Sequence, residues 1–273
     1  MADRIADPLF GKPPERAQLG TAPLVRVLGQ VQFARIVNIS KEQFIGDFQN
    51  AVRRQFPVIE RDVAQSIDVS LDGGGVASTL TEEVIWRMFD PRREWRLSLA
   101  PSALTLETMR YTSREEFLGQ FQLLIDSLAA TIQPSLATRV GFRYVNRIDS
   151  QADVDDLGNL VEPELLGLSS ATLRNGVQMA VSQAQCQTAE GLLLARWGLL
   201  PAGATHDPDM APPSSVQSWF LDIDSFTTSG LPEDGFTASP LIEKMNTMAD
   251  RAYAFFRWSV KPRFLERFKE GSK

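Results

Sequence analysis

Two residue types are nearly missing from this chain of 273 residues, which has one cysteine and one histidine. The single thiol, Cys186, cannot close an internal disulfide, which fits a reducing compartment. Its surroundings, GVQMAVSQAQCQTA, hold no cation or imidazole to lower the thiol pKa, so a buried, inert thiol is expected. The single imidazole, His206, excludes a zinc site built from several histidines and cysteines. It lies in PAGATHDPDMAPPSS, a loop rich in Pro, Gly and Ser, and could enter a histidine-based triad only if that loop docked on a cleft. Long apolar runs are also missing. No stretch approaches the ~18 residues of a membrane span, and the opening MADRIADPLFGKPPERAQLG has scattered charges where a secretory signal has an apolar centre. A cytoplasmic protein without membrane contact is therefore expected. Positive charge is in deficit as well: 28 Lys and Arg stand against 34 Asp and Glu, a formal net charge of −6. Such a field repels polyanions, so nucleic-acid contact would need a local basic patch. DGGG at 72–75 lacks the Gly-Lys-Ser/Thr ending of a phosphate loop and reads as a turn.

What is present describes a globular chain: 43 % hydrophobic and 23 % charged residues are ordinary values for a folded domain. The length accommodates two units of common size. After a leader over 1–22, PLVRVLGQVQFARIVNI predicts a strand over about 24–37. A helix over 41–55 follows, with Ser40 and Gln43 placed as a capping box and Phe44, Phe48, Val52 and Phe56 as the apolar face up to Pro57. The runs QSIDVSL, EEVIWRMF, EWRLSLA and SALTLETM, parted by turn residues, predict an antiparallel meander. A second helix over 113–132 starts at Ser113 with Glu116 as box partner, and Phe117, Phe121, Leu124, Leu128 and Ile132 form its apolar stripe. The remainder repeats the order. A strand at RVGFRYVNRID leads through the acidic segment DVDDLGNLVEPELLGLSS to three β-like runs, then to a helix over 240–258 with Ser239 as N-cap and Pro240 at its first position. The expected class is α+β, in two similar units over 23–135 and 136–273, each an antiparallel sheet with packed helices. The basic tail KPRFLERFKEGSK, with Phe264 and Phe268, reads as an end-helix docked by its rings.

The residues that could carry chemistry lie in two strands. In RVGFRYVNRID, β-branched and aromatic residues alternate with Arg139, Arg143 and Arg147, so the arginines share one sheet face at ~13 Å intervals. Two of them could grip neighbouring groups of an extended anion. In SWFLDIDSF, Asp222 and Asp224 project together, and can either neutralise those arginines or hold a divalent cation. The first use is the expected one.

These stretches, with APLVRVLGQVQF and LIEKMNTMADRAYAFFRWSV, resemble a sporadically distributed family of uncharacterised bacterial proteins of about this length. The resemblance is most specific at Arg139, Arg143, Tyr144, Asn146, Arg147 and Ile148, then at Asp222 and Asp224. It departs at Arg26, where the family favours an acidic residue, and near Asn246, where it favours histidine. It implies no catalytic residue, and the patchy distribution is similar to that of mobile or defence-associated genes. The reading that follows is a non-enzymatic binding or accessory protein that uses no cofactor or metal, engaging a protein partner or a small anionic ligand through Arg139, Arg143, Tyr144, Asn146, Arg147, Asp222 and Asp224. Two alternatives stand beside it. One is a metal-dependent enzyme on a nucleotide or phosphoester using Asp222 and Asp224, and the other is nucleic-acid binding by the arginine face.

Overall fold

The computed structural model describes residues 5–16, 20, 22–72, 75–169, 173, 176–233 and 235–269, with side chains described outside 65–81. Its centre is a nine-stranded antiparallel sheet ordered β2-β3-β4-β5-β1-β6-β9-β8-β7. The strands are β1 (Leu24–Phe33), β2 (Val58–Asp72), β3 (Gly75–Phe89), β4 (Trp95–Ala100), β5 (Ala103–Thr108), β6 (Ala137–Ile148), β7 (Ala180–Gln187), β8 (Leu192–Leu200) and β9 (Ser218–Thr227). The helices are α1 (Glu42–Val52), α2 (Arg114–Thr131), the short α3 (Gln151–Asp155) and α4 (Leu157–Leu160), the long α5 (Ala238–Ser259) and α6 (Pro262–Arg267).

Each half of the chain lays down a central strand, runs to one edge and meanders back. From β1 the chain reaches β2 at one margin and returns through β3 and β4 to β5, which pairs β1; from β6 it reaches β7 at the other and returns through β8 to β9, which pairs β6. The expectation of a sheet for each unit gives way to one continuous sheet, because β1 and β6 pair with each other from Leu24↔Asn146 to Phe33↔Ala137. Left apart, both would be apolar edge strands with unpaired backbone groups. One hydrophobic core accordingly holds residues of both halves, from Val27 and Phe117 to Ile223 and Met245.

The helices cover one face. On β1, Val27, Val31 and Phe33 point into the core, and between them Gly29 leaves room for Met245 of α5 and Phe117 and Phe121 of α2. A Cβ at Gly29 would stand 2.8 Å from Met245 Sδ and 3.0 Å from a Phe117 ring carbon. The stripe on α2 is as expected: Phe117, Phe121, Leu124 and Leu128 are buried, and Ser113 Oγ accepts the Glu116 amide at 3.1 Å. The other half of the box is replaced, since the Glu116 carboxylate takes the Thr112 hydroxyl.

Several local expectations are corrected. β1 stops at Phe33, and Val37–Ser40 forms a 3-10 turn anchored by the Ile36 amide on the Pro101 carbonyl. Ser40 therefore ends that turn and caps nothing; Lys41 occupies the N-cap of α1 without a side-chain bond, and Gln43 completes no box. The buried stripe of α1 is Ile45, Phe48 and Val52, whereas Phe44 is exposed. Helix α5 begins at Ala238 with Thr237 as N-cap, which puts Ser239 and Pro240 inside its first turn. Cys186 is half-buried on the margin strand β7, not enclosed. Gly73 and Gly74 of the expected turn lie outside the described residues, with Asp72 paired to Gly75 across it. The tail does dock by its rings, with Phe264 buried against Phe256 at a centroid distance of 5.6 Å. Among the described residues no helix is long and apolar enough to cross a membrane.

At Gly29 the helices sit hard against the sheet, so Gly29→Val should overpack that contact and cost ~1–3 kcal/mol in urea unfolding. Ser113→Ala, which removes only the cap, should cost ~1 kcal/mol in the same assay.

Candidate functional site

Strand alternation puts the polar residues of the central strands on the face away from α2 and α5. Directly paired residues share a face, so the register lines them up in rows. One row runs Arg96, Glu107, Leu28, Arg143, Asp224 and Leu194 across β4, β5, β1, β6, β9 and β8. A neighbouring row runs Arg26, Val145, Asp222 and Arg196. The seven residues singled out from sequence are divided by the same rule. Arg139, Arg143, Arg147, Asp222 and Asp224 meet on this polar face. Tyr144 and Asn146 point to the helix side, where the Tyr144 hydroxyl lies 3.5 Å from that of Tyr111 and Asn146 donates to the Leu221 carbonyl at 3.3 Å.

The arginines are paired. Arg143 grips Asp222 with a two-point fork, Nε to Oδ1 at 2.7 Å and a terminal nitrogen to Oδ2 at 2.6 Å, and also reaches Asp207 at 3.0 Å. Asp222 is only 3 % exposed. Burial alone would push its carboxyl up, but the hydrogen bonds from Arg143 and His206 hold it below the ordinary value. Burial likewise opposes the Arg143 charge, and the bonds to Asp222 and Asp207 overcome it. Arg139 donates to Asp224 at 2.7 Å and to Gln30 at 2.9 Å, with its guanidinium 4.2 Å above the Phe226 ring. It lies flat across Gly141, where a Cβ would come within 2.8 Å of it, so this glycine is what lets Arg139 bend back along its own strand. The Asp224 carboxyl is pushed up by burial, which outweighs Arg139 and Arg143. Arg147, at the strand end, bonds Asp149 at 3.1 Å and the Pro212 carbonyl at 2.6 Å.

Three further arginines, unmarked by any sequence spacing, complete the face. Arg26 and Arg96 both pair with Glu107, whose side chain is 2 % exposed. Arg87 pairs with Asp62 at 2.9 Å and Asp209 at 3.5 Å. One buried carboxylate thus serves two arginines with a third beside them. Burial, then the like charges of Arg87 and Arg26, bring the Arg96 pKa down to about 10. These groups surround a cavity of about 260 Å³ lined by Arg87, Arg96, Arg139, Arg143, Glu107 and Asp224, with Met210 among the remaining walls.

The histidine loop docks here. His206 stacks on Phe220 at 4.1 Å with planes 9° apart, and its Nε2 lies 3.2 Å from Asp222 Oδ2. Its side chain is 5 % exposed, so the docking condition set by the sequence is met. No nucleophile is hydrogen-bonded to the ring among the described contacts, and its Asp222 partner is held by Arg143. Among the described residues no group of three His, Cys, Asp or Glu side chains is placed to hold a metal ion. Asp222 and Asp224 are each neutralised by an arginine, which is the structural use expected of them.

Removing one partner of the fork leaves a buried charge, so Asp222→Ala should cost ~3–5 kcal/mol. A double-mutant cycle with Arg143→Ala, read from denaturant midpoints, should show losses well short of additive. The pair should also carry a pH signature. The folded Asp222 pKa lies below its unfolded value of about 3.9, so its contribution is complete above that value and disappears as pH falls through the folded one. The melting-temperature gap between wild type and Asp222→Asn should therefore be constant near neutrality and close below about pH 4. No protein-family model matches this chain and no curated protein does, so its chemistry has to be read from these residues.

Proposed function

We propose that this is a non-enzymatic binding protein whose polar sheet face takes an anionic ligand in the cavity between Arg87, Arg96, Arg139 and Arg143. The observation that supports it is the sharing of one buried carboxylate, Glu107, by Arg26 and Arg96, with Arg87 alongside and only the exposed carboxylates of Asp62 and Asp209 to offset it. These arginines sit inside a protein of net charge −6, so they attract an anion over short range only. A carboxylate or phosphate entering the cavity would meet planar guanidinium donors suited to two-point bonding. The two-unit organisation belongs to this proposal through the repeated order of elements, and an accessory role in a mobile or defence-type gene context through the family resemblance alone.

The enzyme alternative needs Asp222 and Asp224 free for a cation, and each is engaged by an arginine. The nucleic-acid alternative needs an accessible basic stripe, and Arg139, Arg143 and Arg147 are largely covered and acid-paired. Neither gains a specific observation.

The test is thermal melting in phosphate or citrate against chloride at matched ionic strength. Wild type should gain ~1.4 kcal/mol at a ligand concentration ten times Kd. Arg96→Gln, which leaves Glu107 paired with Arg26, should fold and lose most of that gain. Equal melting of wild type in all three anions refutes the proposal.

A further inference from the structure

The segment 203–214 crosses the polar face as a strap closed at its base by the Gly203 amide on the Ser214 carbonyl at 2.7 Å. Five arginines from four strands converge on it. Arg143 reaches the Asp207 carboxylate at 3.0 Å and Arg87 that of Asp209 at 3.5 Å. The other three hold main-chain carbonyls: Arg26 that of Met210 at 2.6 Å, Arg96 that of Asp209 at 3.2 Å and Arg147 that of Pro212 at 2.6 Å. Carbonyls satisfy the N–H groups without adding counter-charge: Arg147 has Asp149, but Arg26 and Arg96 have only Glu107 between them, so a carboxylate in place of the carbonyl there makes the stronger bond. Of the strap's own acids, Asp207 is committed to Arg143, whereas Asp209 is loosely held, being 65 % exposed. It is an imperfect filler for a face built to hold acidic chain.

We infer that the strap 203–214 is an internal competitor, and that the face beneath it binds an acidic segment of a partner protein which takes the strap's place. This rests on the anion-binding reading above and names the ligand class. Three features favour a peptide over other polyanions. The strap itself shows a peptide backbone seated on these arginines, its two carboxylates mark where acidic side chains fit, and Met210, buried at the cavity wall, marks an apolar position just after them. The net negative charge of the chain repels long polyanions and leaves a short acidic segment acting at contact range. An internal occupant lowers apparent affinity by the fraction of molecules in which the face is uncovered, so loosening the strap must tighten binding of the partner segment.

The experiment uses the full chain and two fluorescent peptides, GATHDPDMAPPS, which copies residues 203–214, and the same peptide with both aspartates changed to asparagine. Fluorescence anisotropy is read with wild type and with the double variant Asp207→Asn/Asp209→Asn. The acidic peptide should bind the variant about tenfold or more tighter than wild type, and the asparagine peptide should bind neither. In wild type, millimolar acidic peptide should speed amide hydrogen exchange across the strap. If the double variant does not fold, Asp209→Asn alone takes its place, because that carboxylate is 65 % exposed and its loss leaves every arginine of the face in position. Equal affinity for the two proteins, equal affinity of the two peptides, or no saturable binding at millimolar peptide overturns the inference. Should phosphate or citrate still stabilise wild type while the peptide fails, the strap inference falls and the anion site stands. Should all three fail, both fall.

Discussion

The constraint from which the rest follows is that two long helices cover only one face of a nine-stranded sheet. Side chains alternate along every strand, so whatever α2 and α5 bury on one side has a counterpart on the other that no helix covers. On the covered side the solution is apolar packing, tight enough at Gly29 that no side chain fits. On the uncovered side it is charge matched against charge. Arg143 with Asp222, Arg139 with Asp224, and Arg26 and Arg96 with Glu107 form a lattice of ion pairs across the central strands.

Such a lattice is costly to break and contributes little net stability, since desolvating both partners offsets most of their attraction. Its value is geometric. Fixed guanidinium groups at fixed strand spacings make a surface that is specific for where carboxylates lie. The lattice is complete near β6 and β9, where each arginine has a close acid, and incomplete near β3, β4 and β5, where Arg26 and Arg96 share Glu107. The cavity lies between the two ends, lined by residues of both, and the histidine strap walls it through Met210. His206 fastens that strap at the complete end, stacked on Phe220 and bonded to Asp222. The cavity and the strap beside it thus share one set of residues, with the fork as their common support.

Much of the framework was legible from local chemistry. Strands show by their alternation, α2 by the Ser113 cap and its 3.6-residue stripe, and the Arg139, Arg143 and Arg147 face by the β-branched and aromatic residues between them, which mark an extended chain. Expectations failed where a tertiary contact outweighed a local signal. Ser40 has the right type for a cap, yet the Pro101 carbonyl draws the chain at Ile36 into a 3-10 turn first. Phe44 belongs by type in a core, but the sheet lies on the side of Ile45 and Phe48.

By itself the sequence determined the element types, the all-antiparallel character, the pairing of Asp222 and Asp224 with arginines, and the narrow set of available chemistries, because each depends on residue identity and near-neighbour spacing. The tertiary structure alone decided that β1 and β6 join two stretches into one sheet, that Tyr144 and Asn146 lie across the sheet from the arginines, and that Arg87, Arg96 and Glu107, from three strands, line one cavity. It also decided that His206 is enclosed and not adrift in a loop. These are contacts between residues up to ~180 positions apart, as in Arg26 with Met210, and no periodicity along a chain encodes which strands become neighbours.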